Sequence, residues 1–426
     1  MIGILLVVLF LILMIIGVPI AFVIGIIALT GIMSVPNIPE VTIPMKMLNG
    51  IDSFVLLAIP LFILAANLMN HGKVSQKLID LALTMVGHIR GGLAQANILV
   101  SMMFAGVSGA AQADTAGVGK ILIPNMKKQG YDTETAVAVT AASSTIGVII
   151  PPSIPMIIFA GLTNVSVGAL FLAGIIPGIL VGVSMMLFVY FLALKKGYPK
   201  AKRASFQTFF KLFSQSLPAL FTPVIIIGGI ISGLFTATEA AAIASLYTFV
   251  IGVFVYKTIK MGDLPKILTE TLALSSLSIF ALAAASALGE LLSFFRVSTI
   301  AQEFFTNNVG NEWLFILIVI AFFLFIGTFM DAIPAMILFV PIILPSSLAF
   351  GMDPVHLGLI VVITLAIGLI TPPYGLCLLL AAKIGDLSIE RSVVAVVPYM
   401  IIVLAVLLVV AYIPAISLWI PNLVGQ

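Results

Sequence analysis

The chain has 426 residues, 62% of them hydrophobic and only 8% charged, with a mean hydropathy of +1.30. A domain of this length needs far more charge to cover a water-facing surface, so a soluble globular protein is excluded and a polytopic membrane protein in a lipid bilayer is required. The lone Cys377 lies in an apolar run, and His71, His88 and His356 share no ligand spacing. A disulfide framework, a cysteine-based metal site and an HExxH centre are therefore excluded, no cofactor and no nucleic-acid partner are expected, and the net charge of +3 says nothing until it is placed by side of the membrane.

Residues 2–35 are apolar for too long to be one span of roughly 20 residues, and Gly17-Val18-Pro19 divides them into two helices. The start is longer than a signal-peptide core and lacks a basic flank and a cleavage site, so it is expected to be retained. Residues 36–50, with three prolines, predict a loop, and 54–69 predict a crossing. In 71–90, Val74, Leu78, Leu81 and Met85 recur at helical spacing between polar residues, as in an amphipathic arm lying at the interface. Residues 94–124 are apolar but interrupted by Gly106, Gly109 and a small polar run, which predicts a re-entrant helical hairpin. Two half-helices (137–150 and 154–162) follow around Gly147 and Pro151-Pro152, then a span over 171–194 that ends in the basic loop Lys195 to Arg203.

The second half repeats this plan: helices over 217–234 and 240–256, a crossing over 272–288, and an arm over 296–311. A second hairpin over 314–344 has its tip near Gly327-Thr328, a second broken helix covers 357–371 and 376–382, and a last span covers 393–413. Shifting Phe104, Gly106, Pro124, Gly130, Asp132, Gly147, Pro151 and Pro152 by 221 gives Phe325, Gly327, Pro345, Gly351, Asp353, Gly368, Pro372 and Pro373. Between Phe104 and Pro155, 12 of 52 positions are identical without a gap, and the matches concentrate at Gly and Pro, which set backbone shape. The expected fold is all-α, with inverted repeats containing two re-entrant hairpins and two broken helices. Its expected parts are a first scaffold part and arm (1–91), a first hairpin-plus-broken-helix unit (92–163), a second scaffold part and arm (164–311), a second such unit (312–385) and a last span (386–426).

With Met1 outside and each hairpin returning to its own side, each half crosses five times, so the copies are inverted and both termini are periplasmic. Of the 19 Lys and Arg, 17 then lie on or near the inner side and only Lys46 and Arg296 outside, as the positive-inside bias requires.

Hairpin tips and helix breaks put free backbone dipoles inside the membrane, where carbonyls can replace the hydration shell of a small cation. The first candidate set is Gly106 and Ser108 facing Ser143, Ser144 and Gly147; the second is Gly327 and Thr328 facing Thr364, Gly368 and Thr371. Small residues with hydroxyls suit an oxygen-only sodium site, and the bland alternative is close helix packing. Asp331 follows the second tip with apolar flanks and has Ala110 as its counterpart. A carboxylate inside the bilayer costs about 2.5–3.5 kcal/mol on insertion scales, which makes it a candidate coupling or substrate residue; a water-filled edge is the alternative. Arg296 is a candidate anion contact or a snorkelling anchor. Thr236-x-x-Glu239 reads as a capping box.

Gly106-Val107-Ser108-Gly109 also matches the short GxSG of rhomboid-type intramembrane serine proteases. That chemistry needs a Ser–His dyad, and His356 is predicted at the opposite side from Ser108.

FAGVSGAAQADTAGVG, IGVIIPPSIP, IGLITPPYGL, GLFTATEAAA and FIGTFMDAIPA together resemble the large membrane (M, DctM/SiaM-like) subunit of tripartite ATP-independent periplasmic (TRAP) transporters, over essentially the whole chain. The resemblance implies an elevator-type transporter of the bacterial inner membrane. It also implies sodium-coupled uptake, a separate small membrane subunit, and a periplasmic binding protein that delivers an organic acid, of the sialic acid or C4-dicarboxylate class. It places sodium at Gly106, Ser108, Gly147, Gly327, Thr328 and Gly368, and leans toward the sialic-acid branch. A passive anion channel or exchanger on the same fold is the alternative function.

Overall fold

The computed structural model describes residues 2–35, 39, 41–72 and 74–425; the expected outer placement of Met1, most of the start of the 36–50 loop and position 73 of the 71–90 arm lie outside them. All regular structure among the described residues is helical. Seven helical stretches are long and apolar enough to cross a bilayer: Phe54–His71, Val167–Lys196, Phe206–Ile231, Ala237–Val255, Met261–Phe294, Ala332–Ala349 and Ile389–Tyr412.

The 221-residue shift holds well beyond the matching block. Ala111–Lys128 maps onto Ala332–Ala349, and Ile154–Thr163 falls within one residue of Leu376–Gly385. The arm Val74–Val86 maps onto Val297–Asn308, and Val167–Lys196 onto Ile389–Tyr412. The reason is visible at the loops. Gly130 and Gly351 both take the left-handed conformation (φ +86° and +79°) that ends a helix without Cβ strain. Two residues later Asp132 and Asp353 cap the next helix, accepting from the N–H of Thr135 and of Val355 respectively. The same stop-and-start pair thus opens each broken helix.

The first hairpin consists of Gly92–Ser108 and Ala111–Lys128, joined by left-handed Gly109 and extended Ala110. Gly92–Ser108 has 17 residues, about 25 Å, short of a roughly 30 Å hydrocarbon core. The second hairpin is Glu312–Gly327 and Ala332–Ala349. Its latter arm is by itself long enough to cross, and is an arm by its register with Ala111–Lys128. The two units interlock crosswise: Leu376–Gly385 packs on Ala111–Lys128 and Thr133–Ser144, while Ala332–Ala349 packs on Ile154–Thr163.

Around them, Leu264–Phe294 packs on Ile20–Met33, Thr42–Ile51 and Ala58–His71, and Ala237–Val250 also packs on Ala58–His71. Val167–Lys196, grouped with the second scaffold part on sequence, packs mainly against the hairpin side: Gly92–Ser108, Pro354–Gly368, Ile389–Tyr412 and the C-terminal Ala415–Val424.

Two elements depart from the sequence expectation. Thr42–Ile51 is a helix where three prolines predict a loop. Pro44 sits in its first turn, where no backbone N–H is needed, and Lys46 pairs with Glu290 at 2.7 Å. Ala415–Val424 is an additional helix held by the buried His356, whose Nδ1 is 2.7 Å from Ser417 Oγ.

Candidate functional site

In the first unit, the tip lies against the break. A Cβ at Gly109 would come within 2.8 Å of the Pro152 carbonyl oxygen, and Ile154 N–H donates to the Gly109 carbonyl at 3.4 Å. Gly147 stands over Ala110 and Ala111 at ordinary contact distance. Behind the tip is a dry cluster of oxygens. Ser101 donates to Ser143 at 3.1 Å, Asn97 to Thr140 at 2.6 Å, and Thr115 to Ser144 at 2.6 Å. Ser108 is buried and its hydroxyl has no partner. Asp114 is fully buried, and neither carboxylate oxygen makes a hydrogen bond of ordinary geometry; Ser101 is its polar neighbour.

The second unit makes the same joint more tightly. Gly327 and Gly368 touch through their backbones, and Tyr374 N–H donates to the Thr328 carbonyl at 3.0 Å, tying the break to the tip. The hydroxyls of Thr328, Thr364 and Thr371 donate to the carbonyls of Phe325, Ile360 and Ile367, which leaves their lone pairs free to accept or ligate. The two breaks share a cis peptide bond at equivalent positions, Pro151-Pro152 and Pro372-Pro373.

A cavity of about 940 Å³ opens between the hairpins and the surrounding helices. Ser108, Ala110 and Gln112 line it from the first unit, and Asp331 and Leu376 from the second. Gln112 Nε2 donates to Asp331 Oδ1 at 3.4 Å, across the two repeats. Asp331 occupies the N-cap position of Ala332–Ala349 without capping it, so its carboxylate is turned to the cavity.

The structure brings Gly147 against the first tip and Ser143 and Ser144 into the oxygen cluster behind it, whereas Gly106 faces Pro223 of Phe206–Ile231, where a Cβ would lie 2.9 Å from the ring, with the Pro151 carbonyl oxygen at 4.0 Å. At the second joint Gly327 meets Gly368, with Thr328, Thr364 and Thr371 on the same segments. Arg296 belongs to neither: it is exposed where Leu264–Phe294 meets the second arm, with φ +53°. Ser108 and His356 form no dyad, because the His356 ring is taken up by Ser417 and the Ala411 carbonyl. Asn97, Ser101 and Thr115 were missed on sequence, and Asp114 reads there equally as a functional acid or as one on the aqueous side of the hairpin. A signal exists, since Asn97, Ser101 and Ser108 recur at spacings of four and seven and so share one helix face.

The profile described as "Tripartite ATP-independent periplasmic transporter, DctM component" matches residues 7–416. The chain belongs to the DctM family. It is therefore a multi-pass transport subunit of the inner membrane, and not an enzyme. Relatives of the TRAP type agree over most of their length. The sialic acid TRAP transporter large permease protein SiaM of Vibrio cholerae is 38% identical over 89% of this chain and 88% of its own. The C4-dicarboxylate large permease protein DctM of Rhodobacter capsulatus is 35% identical over 97% of each. The isethionate permease protein DctMQ of Oleidesulfovibrio alaskensis is 36% identical over 95% of this chain but only 64% of its own length. The crystal structure of the Alcanivorax borkumensis YdaH transporter, described as having an unusual topology, matches 88% of each chain with a TM-score of 0.60 at 14% identity, a likeness of fold alone.

Proposed function

We propose that this DctM-family chain is the large permease subunit of a sodium-coupled importer of an organic acid, delivered by a periplasmic binding protein and working with a small membrane subunit on a separate chain. The observation that carries the sodium reading is the Asp114 cluster: a fully buried carboxylate with no cation among the described residues, beside the hydroxyls of Ser101, Ser143, Ser144 and Thr115. An uncompensated buried charge is costly, and oxygen-only donors of this kind suit a monovalent hard cation. Sodium is assigned to Gly106, Ser108, Ser143, Ser144 and Gly147 at one joint, and to Gly327, Thr328, Thr364, Gly368 and Thr371 at the other. Asp331 is assigned to coupling. Arg296, away from both joints, keeps at most an outer-surface role.

The crosswise interlock of the hairpin units supports their moving together as an elevator, carrying Val167–Lys196 and Ile389–Tyr412 with them. The relatives named for sialic acid and C4-dicarboxylates support a small organic acid as the substrate, and the motifs lean to the sialic-acid branch. Both termini are assigned to the periplasm. The test is uptake of labelled N-acetylneuraminate and succinate into proteoliposomes holding both membrane subunits, with the binding protein outside. An inward sodium gradient should drive accumulation. Flux that is indifferent to sodium would instead make the chain a passive anion channel or exchanger.

A further inference from the structure

The duplicated framework carries charges that are not duplicated, and two of them face the same cavity. Asp331 has Ala110 as its counterpart, and Lys120 has Pro341. Among the described residues, Lys120 and Asp331 are the charged ones lining the 940 Å³ space. Neither is needed by the repeat fold, since the other copy builds the same helix without it.

Lys120 stands mid-way along Ala111–Lys128, about 13 Å from the tip end and about 12 Å from the basic end. That basic end is already supplied by Lys127 and Lys128, Lys127 donating to the Gly385 carbonyl at 2.9 Å. Lys120 therefore is not required to set which end of the arm stays inside. It makes no ion pair among the described residues, unlike Lys46, Lys196 and Arg391. A lysine held at that depth costs free energy unless water or an anion meets it.

The opposite wall is polar and neutral. Asn67, Asn70, Ser75 and Gln76 line the cavity there, and Asn70 Oδ1 is buried without a partner. This wall adjoins the Lys120 arm at Gly117, one turn before Lys120, where a Cβ would stand in ordinary contact, 3.4 Å from Asn70 Oδ1 and 3.7 Å from Ser75 Oγ. Ser108 adjoins the same space toward the tip, its hydroxyl oxygen itself buried.

We infer that Lys120 seats the anionic group of the transported acid in this cavity, and that Asn70 and Ser75 receive the acid's neutral polar groups. The inference rests on the organic-acid importer reading and adds the residue that fixes the charged end of the substrate. Lys120 is a positioning residue for a single carboxylate or sulfonate group of the substrate, since it is the one cation lining the cavity among the described residues.

The experiment uses the assembled two-subunit complex with Ala113→Cys, two turns from Lys120 and on the cavity wall. The native Cys377 is fully buried and stays silent. The rate of modification by a sulfonate-bearing methanethiosulfonate is divided by that of a neutral one. Lys120→Gln should lower this ratio about tenfold, as expected for removing a unit charge about 10 Å away at an effective dielectric near 20, and Lys120→Arg should keep it. Succinate, N-acetylneuraminate and isethionate are then tested for protection of the cysteine against the neutral reagent. At least one should protect the Lys120 and Lys120→Arg chains and fail to protect Lys120→Gln. An unchanged ratio, protection by none of the three, or equal protection in Lys120→Gln overturns the inference. Sodium-driven uptake by the unsubstituted complex is scored separately, so loss of the importer reading and loss of the Lys120 assignment give different results.

Discussion

Gly327 and Gly368 meet backbone to backbone: a Cβ on Gly368 would lie 2.8 Å from both the Cα and the carbonyl oxygen of Gly327. The counterpart Gly147 has no such neighbour, its nearest atom being Ala111 Cα at 3.7 Å. The same glycine in two copies therefore answers to different constraints. Gly368→Ala should cost about 1–3 kcal/mol through overpacking against rigid backbone, whereas Gly147→Ala should be close to neutral. Thermal unfolding of the purified complex measures both, and equal melting temperatures for the two variants would contradict the backbone contact.

A second prediction concerns pH. At the loop after the first hairpin, burial pushes the Asp132 carboxyl up, but hydrogen bonds from Thr135 and Lys196 outweigh it and hold the group below the usual carboxylate range. Lys196 Nζ is 3.0 Å from Asp132 Oδ2, and Tyr198 also donates to the carboxylate. A pKa depressed on folding gives stability that is present above the unfolded value, near 3.9, and lost as pH falls through the folded value. Asp132→Asn keeps a residue equally suited to the cap and loses the ion pair, so it should destabilise the chain at neutral pH by up to about 1 kcal/mol, read as a lower melting temperature. The gap from the native chain should close below about pH 4. A gap that stays constant from pH 7 to pH 3 would show that the charge contributes nothing.

Ser108 provides the third. Its hydroxyl is buried with no partner, so the Ser108→Ala chain should be as stable as the native one or slightly more so. If the hydroxyl ligates sodium, losing about 1.5 kcal/mol of ligand interaction raises the sodium concentration for half-maximal uptake about tenfold. Uptake titrated against sodium reads this directly. Loss of stability with unchanged sodium dependence would assign Ser108 to packing.

Much of this was legible in the sequence because the informative residues act locally. Gly130 with Asp132, and Gly351 with Asp353, set a helix stop and a helix start through their own backbone and cap, so their repetition announces a repeated fold. The glycines at both tips and breaks were legible for the same reason. Thr42–Ile51 was not, because a proline in a first turn looks like a proline in a loop until the partner helix Leu264–Phe294 is in place. Asp114 was equally hidden. In sequence it reads as readily as an acid on the aqueous side of the hairpin as a functional one, and only the folding of Thr133–Ser144 across Gly92–Ser108 encloses it.

The last prediction concerns Asp331. Its counterpart Ala110 shows that the hairpin forms without a carboxylate there, and the side chain does not cap the helix it precedes. Its polar neighbours are the Ala332 backbone N–H and Gln112, the latter at 3.4 Å, a long bond from the opposite tip. A neutral amide offsets little of the cost of an ionised carboxylate at membrane depth, so a cation must approach Asp331 during the cycle. Asp331→Asn keeps the size, one acceptor oxygen and a residue equally suited to an N-cap position, and removes only the charge. The variant should assemble with the small subunit, judged by size exclusion, and melt as the native complex does. Sodium-driven uptake should fall by at least tenfold, while the bond from Gln112 is retained through the amide oxygen. Gln112→Ala serves as the control: it removes the protein partner but leaves the charge, and should keep most of the uptake. Near-native uptake by Asp331→Asn would make Asp331 a carboxylate at a wet edge, and failure to assemble would make it structural.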